Sequence, residues 1–372
     1  MVRKRPPLRP IPWARPALGA QERRAVATVL REGWVAMGPR TREFERCMAV
    51  MAGRRYGVAV CNGTVALDLA LRLLDVRPGD EVIVPAMTYV ATAAAVVLRG
   101  AIPVFADIEE NWPTVCPKAV EDCLSSKTRL VMTMDYGGTP CAHEAIARIA
   151  RAAGVRTLHD GAQSLAGTYR GRPLLSYGQL ATTSFHVAKQ LTTVEGGMVF
   201  LSHAARDTRA RCLRNQGEIA GKKYWHSEIG SNYRISDLHA AIGLAQLKRA
   251  GALFQRRRAL AAAYTRYLLE VPEVALPRER PAGQNGWFFY AIRVRNRDAV
   301  AAHLRQRGVD TRVAYPMAVY EQRAFRKWTG RRCPMAERFA REVLCLPLFD
   351  GMTMAQVRFV VLAIKEAVVA SQ

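Results

Sequence analysis

Apolar positions along this chain follow two rhythms. Short unbroken apolar runs alternate with longer segments whose apolar residues recur every three or four positions, the spacings of buried strands and amphipathic helices. GVAVC (57–61) is the first run; NGT follows at once, and VALDLALRLLDV then repeats apolar residues at helical spacing. PGD makes a turn before the next strand, EVIVP (81–85), and MTYVATAAAVVLRG is a predicted helix closed by Gly100. IPVFADI (102–108), RLVMTMD (129–135) and VRTLHD (155–160) are further strands, the last two separated by the helix HEAIARIARAAG. LATTSFH (180–186) and GMVFLS (197–202) form a strand pair around a loop that holds a single lysine, Lys189.

Helical spacing also marks 21–31 and runs from about 236 to about 269 without a break signal, so one long connecting helix is expected there. Beyond it come a strand WFFYAIRV (287–294), a helix at 298–307 and a last helix from about 353. Strands alternating with helices predict an α/β fold with a mainly parallel sheet covered on both faces. The expected organisation is an N-terminal arm (1–15), a large domain (16–250) and a smaller C-terminal α+β domain (251–372). In such sheets ligands bind beyond the carboxyl ends of the strands. NGT, HDGAQ and SFHVAK all fall at those ends.

Composition narrows the partners. A chain of 372 residues, 50% hydrophobic, can bury one large core and a second smaller one. The formal net charge of +24, mostly arginine, suits an anionic partner or simply a solvated basic surface. No helix-turn-helix or aromatic–basic platform is visible, so nucleic acid is not expected. The longest apolar stretch, 82–106, is interrupted by Pro85, Arg99, Gly100 and Pro103 and makes no membrane span. The eight cysteines include no CxxC pair, so no metal site is expected and the thiols read as reduced and cytoplasmic. VRKRPPLRPIPWARP is an extended arm, because its prolines forbid helix. Its basic residues have no apolar run behind them, so it is not a secretory signal.

Three polar clusters carry the candidate chemistry. NGT at a strand-to-helix junction offers backbone N–H groups at a helix N-terminus, Gly63 for close approach and the Thr64 hydroxyl: an anion site, or else an ordinary N-cap threonine. Ser184 could add a second hydroxyl. Asp160, at the end of an apolar strand, is costly to bury without a positive partner; it either caps a helix or pairs with a protonated ring nitrogen. Gln163 could reach the same ligand. Lys189, if buried beside an apolar strand, loses charge and becomes a nucleophile able to form a Schiff base; if exposed, it is a surface lysine. A phosphate, an aldehyde and a basic ring nitrogen together are the features of pyridoxal phosphate. Tyr89 could stack on its ring or serve only helix–sheet packing.

With REGWVAMGP, CNGTVALDLAL, PGDEVIVPAMTYVATAAAV, HDGAQ, SFHVAKQLTTVEGGMV and GSNYRISDLHAAIGLAQL in this order, the chain resembles the DegT/DnrJ/EryC1/StrS aminotransferases. These are fold-type I pyridoxal phosphate enzymes that aminate keto-sugars. The resemblance implies that Lys189 carries the cofactor, Asp160 keeps its ring nitrogen protonated, Gln163 bonds the ring hydroxyl and Tyr89 stacks on the ring. It assigns the phosphate to Thr64, Ser184 and backbone N–H groups near Gly63 and Val65. Asn232 of the NYR motif would reach that phosphate across a homodimer interface. His186 matches the family's histidine before the lysine. The implied reaction is ping-pong transfer of an amino group from glutamate or glutamine to a keto-sugar, nucleotide-linked in the common pattern. Leu165, Gln216 and Val319 stand where the family often has histidine, near the acceptor pocket of relatives. A cyclitol or unlinked keto-sugar is therefore an alternative acceptor. Sugar dehydratases of this branch replace the lysine by histidine, so Lys189 favours transamination.

Overall fold

In the computed structural model, which describes residues 10–370, the apolar runs assemble into a seven-stranded sheet. Its strands are β1 (Tyr56–Val60), β2 (Glu81–Pro85), β3 (Ile102–Ala106), β4 (Thr128–Met134), β5 (Arg156–Asp160), β6 (Leu180–Ser184) and β7 (Gly197–Leu201). They lie in the order β1-β7-β6-β5-β4-β2-β3. The β2–β3, β2–β4, β4–β5 and β5–β6 pairs are parallel. β7 runs against both its neighbours, β1 and β6. Every residue of β6 and β7 is buried, which is why these strands are apolar or hydroxyl-bearing throughout instead of alternating.

Helices close both faces. Leu67, Leu69 and Leu71 of the helix Gly63–Leu73 and Val96 of the helix Val90–Leu98 pack on Val58, Val84, Leu130, Leu158 and Val199. On the opposite face Phe44 and Met48 of the helix Pro39–Met51 meet Phe185, Phe200 and Ile235. The Phe44 and Phe185 rings meet edge-on at 5.0 Å. A second apolar core surrounds the antiparallel pair β8 (Tyr290–Arg293) and β9 (Val343–Leu346), with Leu260, Tyr264, Val300, Val357 and Ile364. Ile11 is buried in this second core and bridges Val309; residues 1–9 of the expected arm lie outside the described residues.

Two elements differ from expectation. The long helical pattern is split into Asp237–Leu247 and Ala250–Leu268. Arg249 leaves helical geometry at the break, and its guanidinium pairs with Glu22 at 2.9 Å, a partner more than two hundred residues away. The run WFFYAIRV is strand only from Tyr290, because the backbone before it is tied to a loop: Gly286 N and Phe288 N donate to Gly138 O and Gly137 O, both at 2.8 Å. Gly100 ends its helix as expected, with φ of +72°, a conformation that favours glycine.

Candidate active site

Parallel strands deliver their carboxyl ends to one rim. At that rim a cavity of about 650 Å³ opens. Its wall includes Gly63, Thr64, Val65, Tyr89, Asp160, Gln163, Ser184, His186 and Lys189, which come from four separate stretches of chain. Asn232 does not line it; this residue is exposed, and its backbone bridges Asn215.

At the end of β1 the helix Gly63–Leu73 begins under the cavity. Asn62 caps it, its Oδ1 accepting from Val65 N at 2.9 Å, so Thr64 is not the cap. The cap occupies the Val65 N–H and leaves those of Gly63 and Thr64 at the helix mouth, where the helix dipole favours an anion. Ser184, at the end of β6, stands directly across. A Cβ on Gly63 would lie 2.9 Å from Ser184 Cβ, so only glycine keeps this cleft open.

Asp160 ends β5 and is almost wholly buried. Its Oδ2 accepts from Thr92 Oγ1 at 2.7 Å and its Oδ1 from Ala162 N at 3.1 Å. Thr92 in turn shares a 2.7 Å hydrogen bond with Thr88 Oγ1. No helix begins at Asp160; it closes a short turn. No ion pair to Asp160 occurs among the described residues, and its carboxylate faces the cavity. Gln163 is fixed at both ends of its amide, Oε1 accepting from Gly137 N at 2.7 Å and Nε2 donating to Tyr315 Oη at 2.9 Å. Burial, with Asp160 near by, pushes the Tyr315 phenol well up, so it stays a neutral hydroxyl.

Lys189 lies in the turn between β6 and β7. Burial lowers its ammonium to about 8, against an opposing pull from Asp160. Its Nζ sits 4.4 Å from the centroid of the Phe288 ring and has no hydrogen bond or ion pair among the described residues. His186 is half exposed; its Nδ1 accepts from Ala188 N at 3.3 Å, and its Nε2 lies 3.7 Å from Glu195 Oε1. Tyr89 caps the helix Val90–Leu98 at the cavity mouth, its ring 5.8 Å from that of Tyr315.

Several contributors escaped sequence reasoning. Thr92 is one threonine in an alanine-rich helix, and only the fold brings it to Asp160. Tyr315, Phe288 and Trp13 reach the cavity from distant parts of the chain. The Thr182 hydroxyl is buried in the cavity wall without a partner among the described residues. Glu195 lay within the lysine loop and was legible only as part of its motif. Leu165 and Val319 belong to the apolar core, and Gln216 lies away from the cavity wall.

A model of the DegT/DnrJ/EryC1/StrS aminotransferase family matches residues 16–365. DesV of S. venezuelae, solved in complex with a ketimine intermediate, is 34% identical, with 96% of this chain and 98% of that chain covered and a TM-score of 0.92. The aminotransferase TlmJ from Streptoalloteichus hindustanus is 32% identical over 97% of this chain and 99% of its own, with a TM-score of 0.91. The PLP form of the putative sugar aminotransferase Spr1654 from Streptococcus pneumoniae is 25% identical over 98% of this chain and 100% of its own, with a TM-score of 0.92.

Proposed function

This chain belongs to the DegT/DnrJ/EryC1/StrS aminotransferase family, and from that premise we propose that it moves an amino group from glutamate or glutamine to a keto-sugar with pyridoxal phosphate as cofactor. One observation carries the reading: a lysine lowered to about 8 shares a cavity with a buried carboxylate at a strand end and a glycine-lined helix mouth. That donor set fits the cofactor's aldehyde, ring nitrogen and phosphate. The cleft that a Cβ on Gly63 would fill and the unpartnered Thr182 hydroxyl support the fit.

When bound, the cofactor supplies an aldehyde and an electron-accepting ring. Around it we assign roles by residue. Gly63 N, Thr64 and Ser184 hold the phosphate at the helix mouth. Asp160, steadied by Thr92, would hold a proton on the ring nitrogen. Gln163 would face the ring hydroxyl, and Tyr89 would serve the ring face. Lys189 Nζ would hold the cofactor at its aldehyde and, when free, would move the proton at the donor's α-carbon; burial, which lowers its ammonium towards neutral pH, suits it to a general base. His186, with Glu195 beside it, faces the entering acceptor. The reaction is ping-pong, donor first. Asn232, exposed and away from this chain's own cavity, is assigned to the neighbouring site of a homodimer.

The acceptor is a nucleotide-linked keto-sugar by the family pattern. A cyclitol or unlinked sugar is the second reading, and one observation favours it: no arginine lines the cavity among the described residues. A cytoplasmic location is our reading of its eight cysteines, all of which are free. No helix among the described residues is long and apolar enough to cross a membrane.

Lys189→Ala provides the test. It should fold and take up pyridoxal phosphate, but borohydride should fix the cofactor to the wild type alone, and transamination should fall by about 10³-fold or more. Retained transamination in the variant, or a wild type that takes up no cofactor, would overturn the proposal. A panel of keto-sugars and cyclitols with labelled glutamate separates the acceptors.

A further inference from the structure

Behind the cavity floor lies a buried polar cluster that the assigned roles leave unused. Asp135 follows β4 and is wholly buried. Its Oδ1 accepts from Cys141 N at 2.8 Å and from His143 Nε2 at 2.9 Å. Its Oδ2 accepts from Ser164 Oγ at 2.8 Å and lies 3.1 Å from His159 Nε2. His159 Nε2 also lies 2.9 Å from Ser164 Oγ, and its Nδ1 lies 3.0 Å from Thr133 Oγ1. Burial alone would raise the Asp135 carboxyl, but the two imidazoles hold it well below the usual carboxylate range. A carboxylate has about four acceptor directions; Cys141 N, His143 Nε2 and Ser164 Oγ fill three, and His159 Nε2 stands beside the fourth. The group therefore needs no cation to be satisfied, although two histidines and an aspartate meet in it.

The cluster's place in the fold gives it a further use. Side chains alternate along a strand, so His159 points to the opposite face from Asp160. Ser164 follows Gln163 directly. Asp135 thus grips both flanks of the turn that presents Asp160 and Gln163 to the cavity. It also holds, through Cys141 N, the loop whose Gly137 N–H fixes Gln163. Strand register completes the frame, Met134 pairing with Asp160.

We propose that Asp135, acting through His159 and Ser164, is a positioning residue that aims Asp160 and Gln163 at the ring of the cofactor. The inference rests on the pyridoxal phosphate reading above. A carboxylate that must hold a ring proton has to be kept within a fraction of an ångström of its target, and a buried anchor held by several hydrogen bonds behind it does that.

Two variants test this, Ser164→Ala and Asp135→Asn, each read by cofactor titration, by the absorption of bound pyridoxal phosphate across pH and by melting of the ligand-free protein. Ser164→Ala should fold, bind pyridoxal phosphate about tenfold more weakly, the effect of one lost hydrogen bond, and shift the pH at which the bound cofactor changes its absorption. Asp135→Asn should do so more strongly; if it does not fold, Ser164→Ala decides alone. A Ser164→Ala protein with a lower melting temperature but unchanged affinity and an unchanged absorption profile would show a merely structural cluster and overturn the inference. Failure of the wild type to take up the cofactor would overturn the functional reading, and the inference with it.

Discussion

Lys189 shows how one side chain's setting becomes chemistry. Its ammonium is lowered from the 10.5 of a free lysine to about 8 by burial, with Asp160 pulling the other way. Between those two values the unfolded chain binds more protons than the folded one, so the folded state gains stability as pH rises through that window. The cost of burying the ammonium is present in full below about 8. Lys189→Met should therefore melt higher than the wild type in the ligand-free state at pH 7, and the difference should shrink towards pH 10; thermal melts across pH measure it. Lys189 and Asp160 could be picked from the sequence because each is a polar residue at the end of an apolar run. Thr92 and Thr182 could not. A threonine in a helix or strand looks the same whether its hydroxyl faces solvent, a carboxylate or a ligand.

The helix Gly63–Leu73 joins local sequence to ligand binding. NGT marks a helix start at a strand end, and the structure has one there. Which residue caps it was not legible, since asparagine and threonine are both good caps and only backbone geometry chooses. The choice falls on Asn62, which frees the Thr64 hydroxyl from capping. Asn62→Ala should cost about 1 kcal/mol of stability, measured by urea unfolding. Gly63→Ala should act differently. Alanine favours helix over glycine, yet here its Cβ would press on Ser184 at 2.9 Å. The expected result is a protein that folds but has lost affinity for pyridoxal phosphate in a titration; unchanged affinity would remove the phosphate from this cleft. The split between Asp237–Leu247 and Ala250–Leu268 teaches the reverse lesson. Helical periodicity continues through Arg249, yet the helix breaks there, where Arg249 pairs with the distant Glu22.

Many arginines of this molecule pair with its own carboxylates, away from the cavity. Arg209 pairs with Glu228 and Asp75, each at 2.9 Å, and Arg211 and Arg214 both pair with Glu45. The cations lining the cavity among the described residues are Lys189 and, when protonated, His186. With that lining, a net charge of +24 does not translate into a basic pocket. The proposed homodimer with shared sites makes a sharper prediction. Lys189→Ala and Asn232→Ala damage opposite sides of an active site if Asn232 serves the neighbouring protomer. Mixing the two inactive variants under subunit exchange should then restore about a quarter of wild-type activity, since half of the dimers are mixed and each has one intact site. No recovery despite exchange, followed by mass-tagged subunits, would confine Asn232 to its own chain.

By itself the sequence determined the α/β class, the strands and helices of the sheet layer and the polar residues at the strand ends. Each of these is set by a pattern a few residues long: apolar runs, helical spacing, turn residues. The tertiary structure decided what those residues face. It brought Thr92, Phe288, Tyr315 and Trp13 to the cavity, chose Asn62 as the cap and gathered Asp135, His143, His159 and Ser164 into one buried cluster. Such partners lie far apart in the chain. Side-chain burial and hydrogen bonding depend on three-dimensional neighbours, and no local pattern encodes them.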